Sequence, residues 1–543
     1  MLAGPDHCHE RPIACSCDAH LALMAFVKWG DTFPEHLIGD FACALWDTSN
    51  RRLILGRDPF GIRPLYYMQR GREIWWCSDI SFLVRIPETS FTLDEEYVAG
   101  YLTATEDPTR TPYAHIRSVR PGSVVTAYEG RVDSKQFWIP RPLRTLQYRS
   151  DGDYEDQFRE LFADSLRARL RAKGTVMAEL SGGLDSSAIV CMSDRLIRQG
   201  QAEASRLETV SFIYDGSPTA DERSYIAEVI ATTGVPNYEI EDHGILSRMP
   251  DADDYFVPNP HRSYLNTYLT TEVRMRNVGA RVLLTGLCGD HVFMHDQDYS
   301  PALAELLGQG RFAELHRLAL WISRCQKASY WQTTWLGAIW PWLPTAWRVS
   351  HSPNTMRLPR WINPEFALRT QCGERSVLRR SEVTSRNPCS ELRVSLLFNA
   401  ISAASAQRYR EHLCIEVCMP YLHLPLVQFL LDLPSSQLLR PGEDRSIQRR
   451  GTIGVLPEAV RTRTNKRSPD EAFLRAIRRE WPYLNEQLHD PLISRLGMVN
   501  KHEFLMALER ARFGYIKWTG SLFRAMSFEL WLRQAQIRPR FGL

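Results

Sequence analysis

The sequence lacks any long hydrophobic run and any strong excess of charge. Its nearest approach to a membrane span, from Trp331 to Trp347, falls short of the roughly 20 apolar residues that a bilayer requires and contains Pro341 and Pro344. The net charge of +3 over 543 residues gives no indication of a nucleic-acid partner. We therefore expect neither a membrane nor a nucleic acid among the partners of this protein.

The sequence also lacks a disulfide framework, internal repeats and low-complexity tracts. Its 12 cysteines are scattered and no secretory leader is recognisable, so we expect reduced thiols and a cytoplasmic location. What the chain does have is length and apolar content. Its 543 residues exceed the size of a single-core domain and 44% of them are hydrophobic, which predicts two domains.

A strand-to-helix turn at residues 181–186 is the most informative segment. Residues 175–180 form a short apolar run, as in a buried strand, and residues 187–192 suit the start of a helix. The first three residues of the turn, Ser-Gly-Gly, present backbone N–H groups without bulk, so a polyphosphate could approach the main chain there. Gly-Gly alone would favour an ordinary tight turn, whereas the whole string favours phosphate binding.

The complete string, Ser-Gly-Gly-Leu-Asp-Ser, resembles the signature of the N-type ATP pyrophosphatases. The residues around it narrow the resemblance to the asparagine synthetase superfamily, which includes asparagine synthetases, β-lactam synthetases and lasso-peptide cyclases. Three further segments match motifs of that superfamily in the same order, at residues 281–290, 416–422 and 456–466. Four motifs in the right order are a much more specific signal than one.

The resemblance implies an α/β fold for residues 150–543, a doubly wound parallel sheet of the ATP-pyrophosphatase (adenine nucleotide α-hydrolase-like) type. The pattern agrees, since residues 209–214 form a strand-like run and residues 221–225 open a helix. Ligands of such sheets bind at the carboxyl ends of strands, where we expect Asp185 and Asp290 to meet. A helix is also predicted from about residue 151. Its apolar face comprises Tyr154, Phe158, Leu161, Phe162, Leu166 and Leu170.

The resemblance also implies roles for individual residues. Asp185 and Asp290 would hold Mg²⁺ on the phosphates of ATP. Lys466 would supply a mobile positive charge during catalysis. Glu416 would deprotonate the attacking amine or orient its base; the equal alternative is that it only braces the active-site helix. The implied ATP and pyrophosphate contacts are Leu180, Ser181, Gly182, Gly183, Asp185, Ser186, Tyr214, Thr285 and Gly286.

Residues 1–145 resemble a truncated class II glutamine amidotransferase domain, which is an α+β domain of the N-terminal-nucleophile (Ntn) type. The resemblance rests on residues 36–47 and on the run Arg-Asp-Pro-Phe-Gly-Ile-Arg-Pro-Leu-Tyr-Tyr at residues 57–67. Such a domain releases ammonia from glutamine with an N-terminal cysteine. This sequence begins Met-Leu-Ala-Gly and its first cysteine is Cys8. We therefore expect either a non-hydrolysing scaffold or a true start further upstream.

Departures from the asparagine synthetase pattern bear on the substrate. Leu287 stands where asparagine synthetases carry Glu, and the Gly-Asp-x-Val-Phe pattern at residues 289–293 is similar to the lasso-peptide cyclases. Between Asp290 and Glu416 lies a long insert, at about residues 300–400, which would suit a peptide-binding wall. The alternative is that most of its tryptophans pack in core helices. These tryptophans are Trp321, Trp331, Trp335, Trp340, Trp342, Trp347 and Trp361.

Together these resemblances imply an ATP-dependent, AMP-forming carbon–nitrogen ligase. A peptide or amino-acid carboxylate would be adenylated and captured by an amine, with release of AMP and pyrophosphate. The leading hypothesis is macrolactam closure of a lasso-type ribosomal peptide, with a leader peptidase and a leader-binding protein as partners. The alternative is an asparagine synthetase that uses aspartate with ammonia or glutamine. A catalytically silent scaffold is a third hypothesis.

Overall fold

A computed structural model describes most of the chain. The described residues are 17–86, 90–215, 221–241, 256–259, 265–294, 300–343, 358–372, 388–406, 415–464, 470–515, 519–534 and 537–542. Within these ranges no helix is long and apolar enough to cross a membrane.

Two antiparallel sheets form the N-terminal region. The first pairs β1 (Ala42–Asp47), β2 (Arg52–Arg57), β6 (Ser123–Tyr128) and β7 (Arg131–Gln136), and the second pairs β4 (Glu73–Cys77), β3 (Tyr66–Arg70) and β5 (Ile116–Ser118), each in that spatial order. Helices are Asp18–Trp29, Ile80–Val84 and Glu95–Thr103, with a 3₁₀ turn at Gly30–His36. Alternate residues of β6 are buried, which is the period of two that packs one face on a core.

A buried Arg–Asp pair shapes the turn that connects these sheets. Arg57 is 2% exposed, and its guanidinium donates to the hydroxyl of Ser118 and to three backbone carbonyls. Asp58 accepts three backbone N–H bonds from residues 60–63, at 3.0 to 3.1 Å. Burial, assisted by the charge of Asp40, nevertheless raises the pKa of Asp58 to about 6. These two residues of the amidotransferase-like run therefore stabilise the turn.

A five-stranded parallel sheet forms the centre of the second region. Its strands are β8 (Gly174–Glu179), β9 (Ala204–Ile213), β10 (Asn237–Glu241), β11 (Val282–Leu284) and β12 (Glu416–Cys418), in the spatial order β10-β9-β8-β11-β12. All neighbours are parallel. The chain moves outward from β8 through β9 and β10, then continues on the other side through β11 and β12. The predicted parallel α/β sheet is thus confirmed, and the reversal creates a crevice at the carboxyl ends of β8 and β11.

Helices connect and flank these strands. They are Asp151–Arg169, Leu184–Arg198, Arg223–Thr233, Leu265–Asn277, Gly289–Val292, Leu424–Asp432, Ser435–Leu438, Ser446–Gly451 and Glu458–Arg461, with a short hairpin of β13 (Leu439–Arg440) and β14 (Glu443–Asp444) and a 3₁₀ turn at Pro420–Leu422. The helix Asp151–Arg169 starts with a capping box, in which Ser150 and Asp153 each accept the other's backbone N–H. Five residues of its predicted apolar face are buried, and Leu161 is half-buried.

The tryptophan-rich insert is helical. Its elements are Ser300–Gly308, Phe312–Cys325, Tyr330–Thr334, Pro364–Arg369 and Pro388–Ala406, with a π-helical turn at Trp335–Ile339 and a 3₁₀ turn at Trp340–Trp342. Its tryptophans divide between core and surface. Trp361 is buried, whereas Trp331, Trp335 and Trp342 are 78%, 48% and 47% exposed. Trp347 lies outside the described residues.

The C-terminal helices pack on the N-terminal region. They are Asp470–Arg479, Trp481–Leu488, Leu492–Arg495, Lys501–Arg512 and Thr519–Leu532, followed by a 3₁₀ turn at Arg538–Phe541. One hydrophobic core joins Tyr101 and Tyr113 of the N-terminal region with Phe528 and Trp531 of the last long helix. A core shared in this way crosses the boundary predicted near residues 145–150.

Candidate active site

The predicted phosphate loop joins β8 to the helix Leu184–Arg198. Gly182 has φ +72°, and a Cβ there would lie 3.0 Å from the Cβ of Tyr225, so glycine is required at this turn. The backbone N–H of Ser181 donates to Oγ of Ser186 at 3.1 Å, and the two serine hydroxyls are 2.9 Å apart. These bonds hold the loop at the N-terminus of a 15-residue helix, where backbone N–H groups attract anions.

The structure brings the two predicted metal ligands together. Asp185 lies in the first turn of the helix after β8, and Asp290 lies in the helix Gly289–Val292 after β11. Nη1 of Arg445 donates to Oδ2 of Asp185 at 2.9 Å and to Oδ1 of Asp290 at 3.1 Å. Both carboxylates are therefore within hydrogen-bond distance of a single nitrogen atom at the carboxyl edge of the sheet.

Two further side chains orient Asp185. Nε2 of Gln448 donates to Oδ1 of Asp185 at 2.8 Å and to the hydroxyl of Tyr421 at 3.1 Å. The Tyr421 hydroxyl in turn donates to the backbone carbonyl of Asp185 at 3.0 Å. Burial, together with the neighbouring charge of Asp185, raises the pKa of Tyr421 well above its usual value, so this hydroxyl stays protonated.

The turn after β11 approaches the phosphate loop very closely. A Cβ on Gly286 would lie 3.0 Å from the backbone N of Ser186, and one on Gly289 would lie 2.5 Å from Cγ of Asp185. The hydroxyl of Thr285 donates to Oε2 of Glu179 at 2.5 Å and accepts the backbone N–H of Leu287. Small residues at 286 and 289 are thus needed to bring the second carboxylate beside the first.

These elements enclose a cavity of about 280 Å³. Its predicted lining residues are Leu180, Ser181, Gly183, Asp185, Ser186, Thr285, Gly286 and Asp290. Leu287 and Arg445 also line it, whereas Gly182 and Tyr214 are not among the lining residues, although both are described. Most of the predicted nucleotide contacts therefore share one pocket.

An arginine connects the segment before the predicted catalytic lysine to the predicted phosphate loop. Lys466 itself lies outside the described residues. Nη1 of Arg463 donates to the carbonyl of Gly182 at 2.8 Å, and its guanidinium pairs with Glu222 through both nitrogens. The same guanidinium lies 4.0 Å from the ring centroid of Tyr225. Arg463, three residues before Lys466 in the sequence, is therefore fixed against the loop.

The structure does not bring Glu416 into this pocket. Glu416 begins β12, in register with Val282, so it lies at the amino end of the strand while the cavity is at the carboxyl ends. Its carboxylate is half exposed and pairs with the guanidinium of Arg63 from the N-terminal region. Glu416 thus contributes an ion pair between the two regions, and its role as a base has no support from the cavity lining.

Sequence reasoning missed two residues of the site, Arg445 and Gln448. Arg445 immediately precedes the helix Ser446–Gly451 and Gln448 lies within it, about 260 residues after Asp185 in the chain. The backbone of Arg445 is left-handed, with φ +51°, so regular helical spacing does not link the two side chains. Their separation in the sequence therefore does not identify which carboxylate the pair contacts.

The residues of the pocket fit a nucleotide with a divalent cation. Carboxylate oxygens are the ligands that Mg²⁺ prefers, and it completes its coordination with water and substrate phosphates. Nε of Arg445 and Oε1 of Gln448 are buried and have no hydrogen-bond partner among the described residues. Burial opposes the charge of Arg445, but Asp185 and Asp290 outweigh it and raise the pKa of this guanidinium. A cationic donor is therefore available for a phosphate oxygen.

The position of the pocket defines the general class. It lies where a parallel sheet reverses its strand order, as in α/β proteins that bind ligands at the carboxyl ends of their strands. Comparison with protein families narrows this class. The asparagine synthase family model matches residues 157–533, and a glutamine amidotransferase domain model matches residues 8–138. The chain therefore belongs to the asparagine synthase family, whose members use ATP as a substrate.

Individual relatives are similar over only part of the chain. Amidase chry2 of Gibberella zeae is 26% identical over 292 residues, which are 51% of this chain and 42% of that protein. Amidase chyE of Penicillium rubens is 26% identical over 54% of this chain and 44% of its own length. The glutamine-hydrolyzing asparagine synthetase 3 of Bacillus subtilis is 27% identical over 39% of this chain and 34% of its own length. The matches thus span less than half the length of these relatives.

Proposed function

We propose that the protein forms amide bonds with ATP, by adenylating a carboxylate and transferring the acyl group to an amine. The observation that carries this proposal is the meeting of Asp185 and Asp290 beside the phosphate loop. Membership of the asparagine synthase family supports the use of ATP. The similarity to proteins named asparagine synthetases supports the formation of an amide.

In the proposed reaction a substrate carboxylate oxygen attacks the α-phosphorus of ATP, and the bond from that phosphorus to the departing pyrophosphate breaks. An amine then attacks the acyl carbon and loses a proton, and AMP leaves. The loop at the N-terminus of the helix Leu184–Arg198 would hold the phosphates, and Arg445 would donate to them. Mg²⁺ held by Asp185 and Asp290 would neutralise charge on the phosphates. Lys466 remains the predicted source of mobile positive charge.

For the acyl substrate we propose a peptide, closed into a macrolactam through an Asp or Glu side chain and its own N-terminal amine, as in lasso-type peptides. Leu287 lines the pocket and offers no charge to the ammonium group of a free amino acid. Exposed Trp331, Trp335 and Trp342 provide apolar area for a longer substrate. A leader peptidase and a leader-binding protein are the partners that this proposal requires.

Asparagine synthesis is the second candidate. Aspartate would then be the carboxylate, with ammonia or glutamine as the nitrogen source. The similarity to three Bacillus subtilis proteins named glutamine-hydrolyzing asparagine synthetases favours it.

Pyrophosphate release separates the two candidates. The protein is incubated with MgATP and either aspartate plus ammonium, aspartate plus glutamine, or linear peptides that have a free N-terminus and one Asp or Glu. We expect pyrophosphate and AMP with a peptide whose product has lost one water. Release with aspartate instead would establish the second candidate. A protein that binds ATP but releases no pyrophosphate with any of these substrates would contradict both.

One substitution tests the site itself. Asp185→Asn should abolish pyrophosphate release, because the amide cannot replace the anionic ligand beside the phosphates. The matched control is Asp156→Asn, since Asp156 lies on the exposed side of the helix Asp151–Arg169 and pairs only with Arg159 in the described contacts. Equal rates for Asp185→Asn and the control would overturn the assignment.

A further inference from the structure

Arg445 occupies the place between the two acidic side chains. Its Nη1 bridges Oδ2 of Asp185 and Oδ1 of Asp290, at 2.9 and 3.1 Å. Arg445 is 6% exposed, so water competes little for its charge. A divalent cation shared by the same two oxygens would have to lie in the space that this nitrogen takes.

The other oxygen of Asp185 is also occupied. Oδ1 accepts a hydrogen bond from Nε2 of Gln448 at 2.8 Å. Arg445 and Gln448 belong to one element, because Arg445 is the residue before the helix Ser446–Gly451 and Gln448 is within it. A cation that binds Asp185 through either oxygen therefore competes with a donor from this single element.

Without a nucleotide, the described residues offer a cation few ligands. The described residues contain no group of three or more His, Cys, Asp or Glu side chains that could hold a metal ion. Mg²⁺ needs near-octahedral coordination and usually completes it with water and phosphate oxygens. Two carboxylates that are already paired with a guanidinium are a weak site for a divalent cation by themselves.

We propose that Arg445 competes with the metal ion for Asp185 and Asp290 until the nucleotide binds. This inference rests on the proposed use of ATP. The phosphates of ATP bring both extra oxygen ligands for the cation and a new acceptor for the guanidinium. Nε of Arg445 is a buried donor without a partner among the described residues, so the side chain has a donor to offer a phosphate oxygen. The cation then enters together with the nucleotide and not before it.

The proposal is tested by Mn²⁺ binding to the full-length protein, followed by the electron paramagnetic resonance signal of free Mn²⁺. Without nucleotide, Arg445→Gln should bind Mn²⁺ about tenfold or more tightly than wild type, the factor that corresponds to losing one charge-assisted hydrogen bond. With α,β-methylene-ATP present, the same variant should bind the nucleotide more weakly than wild type. An arginine that only stabilises the fold predicts no gain in Mn²⁺ affinity.

Two control variants test whether the gain in Mn²⁺ affinity arises at Asp185 and Asp290. Arg440→Gln removes an arginine of the same segment that pairs with Asp151 away from the cavity, and it should bind Mn²⁺ as wild type does. The double variant Arg445→Gln with Asp290→Asn should lose the gained affinity, because one of the two carboxylates is gone.

The outcomes distinguish this inference from the proposed function. Unchanged Mn²⁺ affinity in Arg445→Gln, while wild type binds Mn²⁺ with α,β-methylene-ATP, overturns the inference alone. Absence of nucleotide binding by wild type at any Mn²⁺ concentration overturns the proposed function. If Arg445→Gln does not fold, the Mn²⁺ affinity of the wild-type protein tests the inference. Tight Mn²⁺ binding without nucleotide would contradict competition by Arg445.

Discussion

At the scale of single residues, the site depends on the absence of side chains as much as on their presence. Gly289 immediately precedes Asp290, and an added Cβ would lie 2.5 Å from Cγ of Asp185 and 2.8 Å from its Oδ1. Real Cβ atoms do not approach other atoms so closely, so one of the two carboxylates would have to move. The glycine thereby determines how close together the two acidic side chains lie.

Gly289→Ala is therefore expected to displace Asp185 and to weaken binding of α,β-methylene-ATP with Mn²⁺ by about tenfold or more, while the fold persists. Isothermal titration calorimetry measures the affinity, and circular dichroism checks the fold. The same substitution at Gly520, in the helix Thr519–Leu532, is the matched control because a Cβ there meets nothing within 4 Å. Gly520→Ala should leave binding unchanged. Equal affinity in both variants would show that the close approach is not needed.

At the scale of elements, the segment after the helix Glu458–Arg461 packs against the predicted phosphate loop through Arg463. Arg463 combines a backbone contact to Gly182, a two-nitrogen pair with Glu222 and stacking on Tyr225. A guanidinium can make these contacts simultaneously because it is planar and has five donors, whereas an ammonium group is a compact point charge. Arg463 is thus fixed against the loop three residues before the predicted catalytic lysine in the sequence.

Arg463→Lys keeps the charge but removes this geometry, so we expect about a tenfold or larger loss of α,β-methylene-ATP affinity. Arg461→Lys is the control, since Arg461 mainly pairs with exposed Glu458 in the preceding turn. Calorimetric titration of both variants should separate them. If Arg463→Lys binds the nucleotide as Arg461→Lys does, charge alone accounts for the role of Arg463.

At the scale of the whole molecule, the two predicted regions are joined by more than a linker. The last long helix contributes Phe528 and Trp531 to a core that also contains Tyr101 and Tyr113. Arg524 of the same helix pairs with Glu106 of the N-terminal region. Because this core contains residues from both ends of the chain, we expect the two ends to unfold cooperatively.

Trp531→Ala should destabilise this shared core by about 3–5 kcal/mol, because it leaves a cavity where a side chain is 1% exposed. Hydrogen exchange followed by mass spectrometry should show faster exchange in the helix Glu95–Thr103 as well as in the mutated helix. Trp331→Ala is the control, since Trp331 is 78% exposed and its loss should cost within about 0.5 kcal/mol. Exchange that rises only around residue 531 would contradict a shared core.

The sequence by itself was sufficient for the local features of the site. The turn at residues 181–186, the parallel sheet that follows and the meeting of Asp185 with Asp290 all depend on strand–turn–helix units that lie within a few residues of each motif. Local periodicity and glycine placement encode such units, and carboxyl ends of parallel strands must share an edge. The predicted roles of Lys466 and Glu416 stay predictions.

Only the tertiary structure decided which distant residues complete the site. Arg445 and Gln448 contact Asp185 from about 260 positions away, Glu416 lies at the opposite end of its strand, and the C-terminal helices share a core with the N-terminal sheets. No local pattern encodes such pairings, because they result from the packing of many elements at once. The physical reason is that the hydrophobic effect is non-directional, so an apolar helix face does not specify its partner until the whole chain has folded.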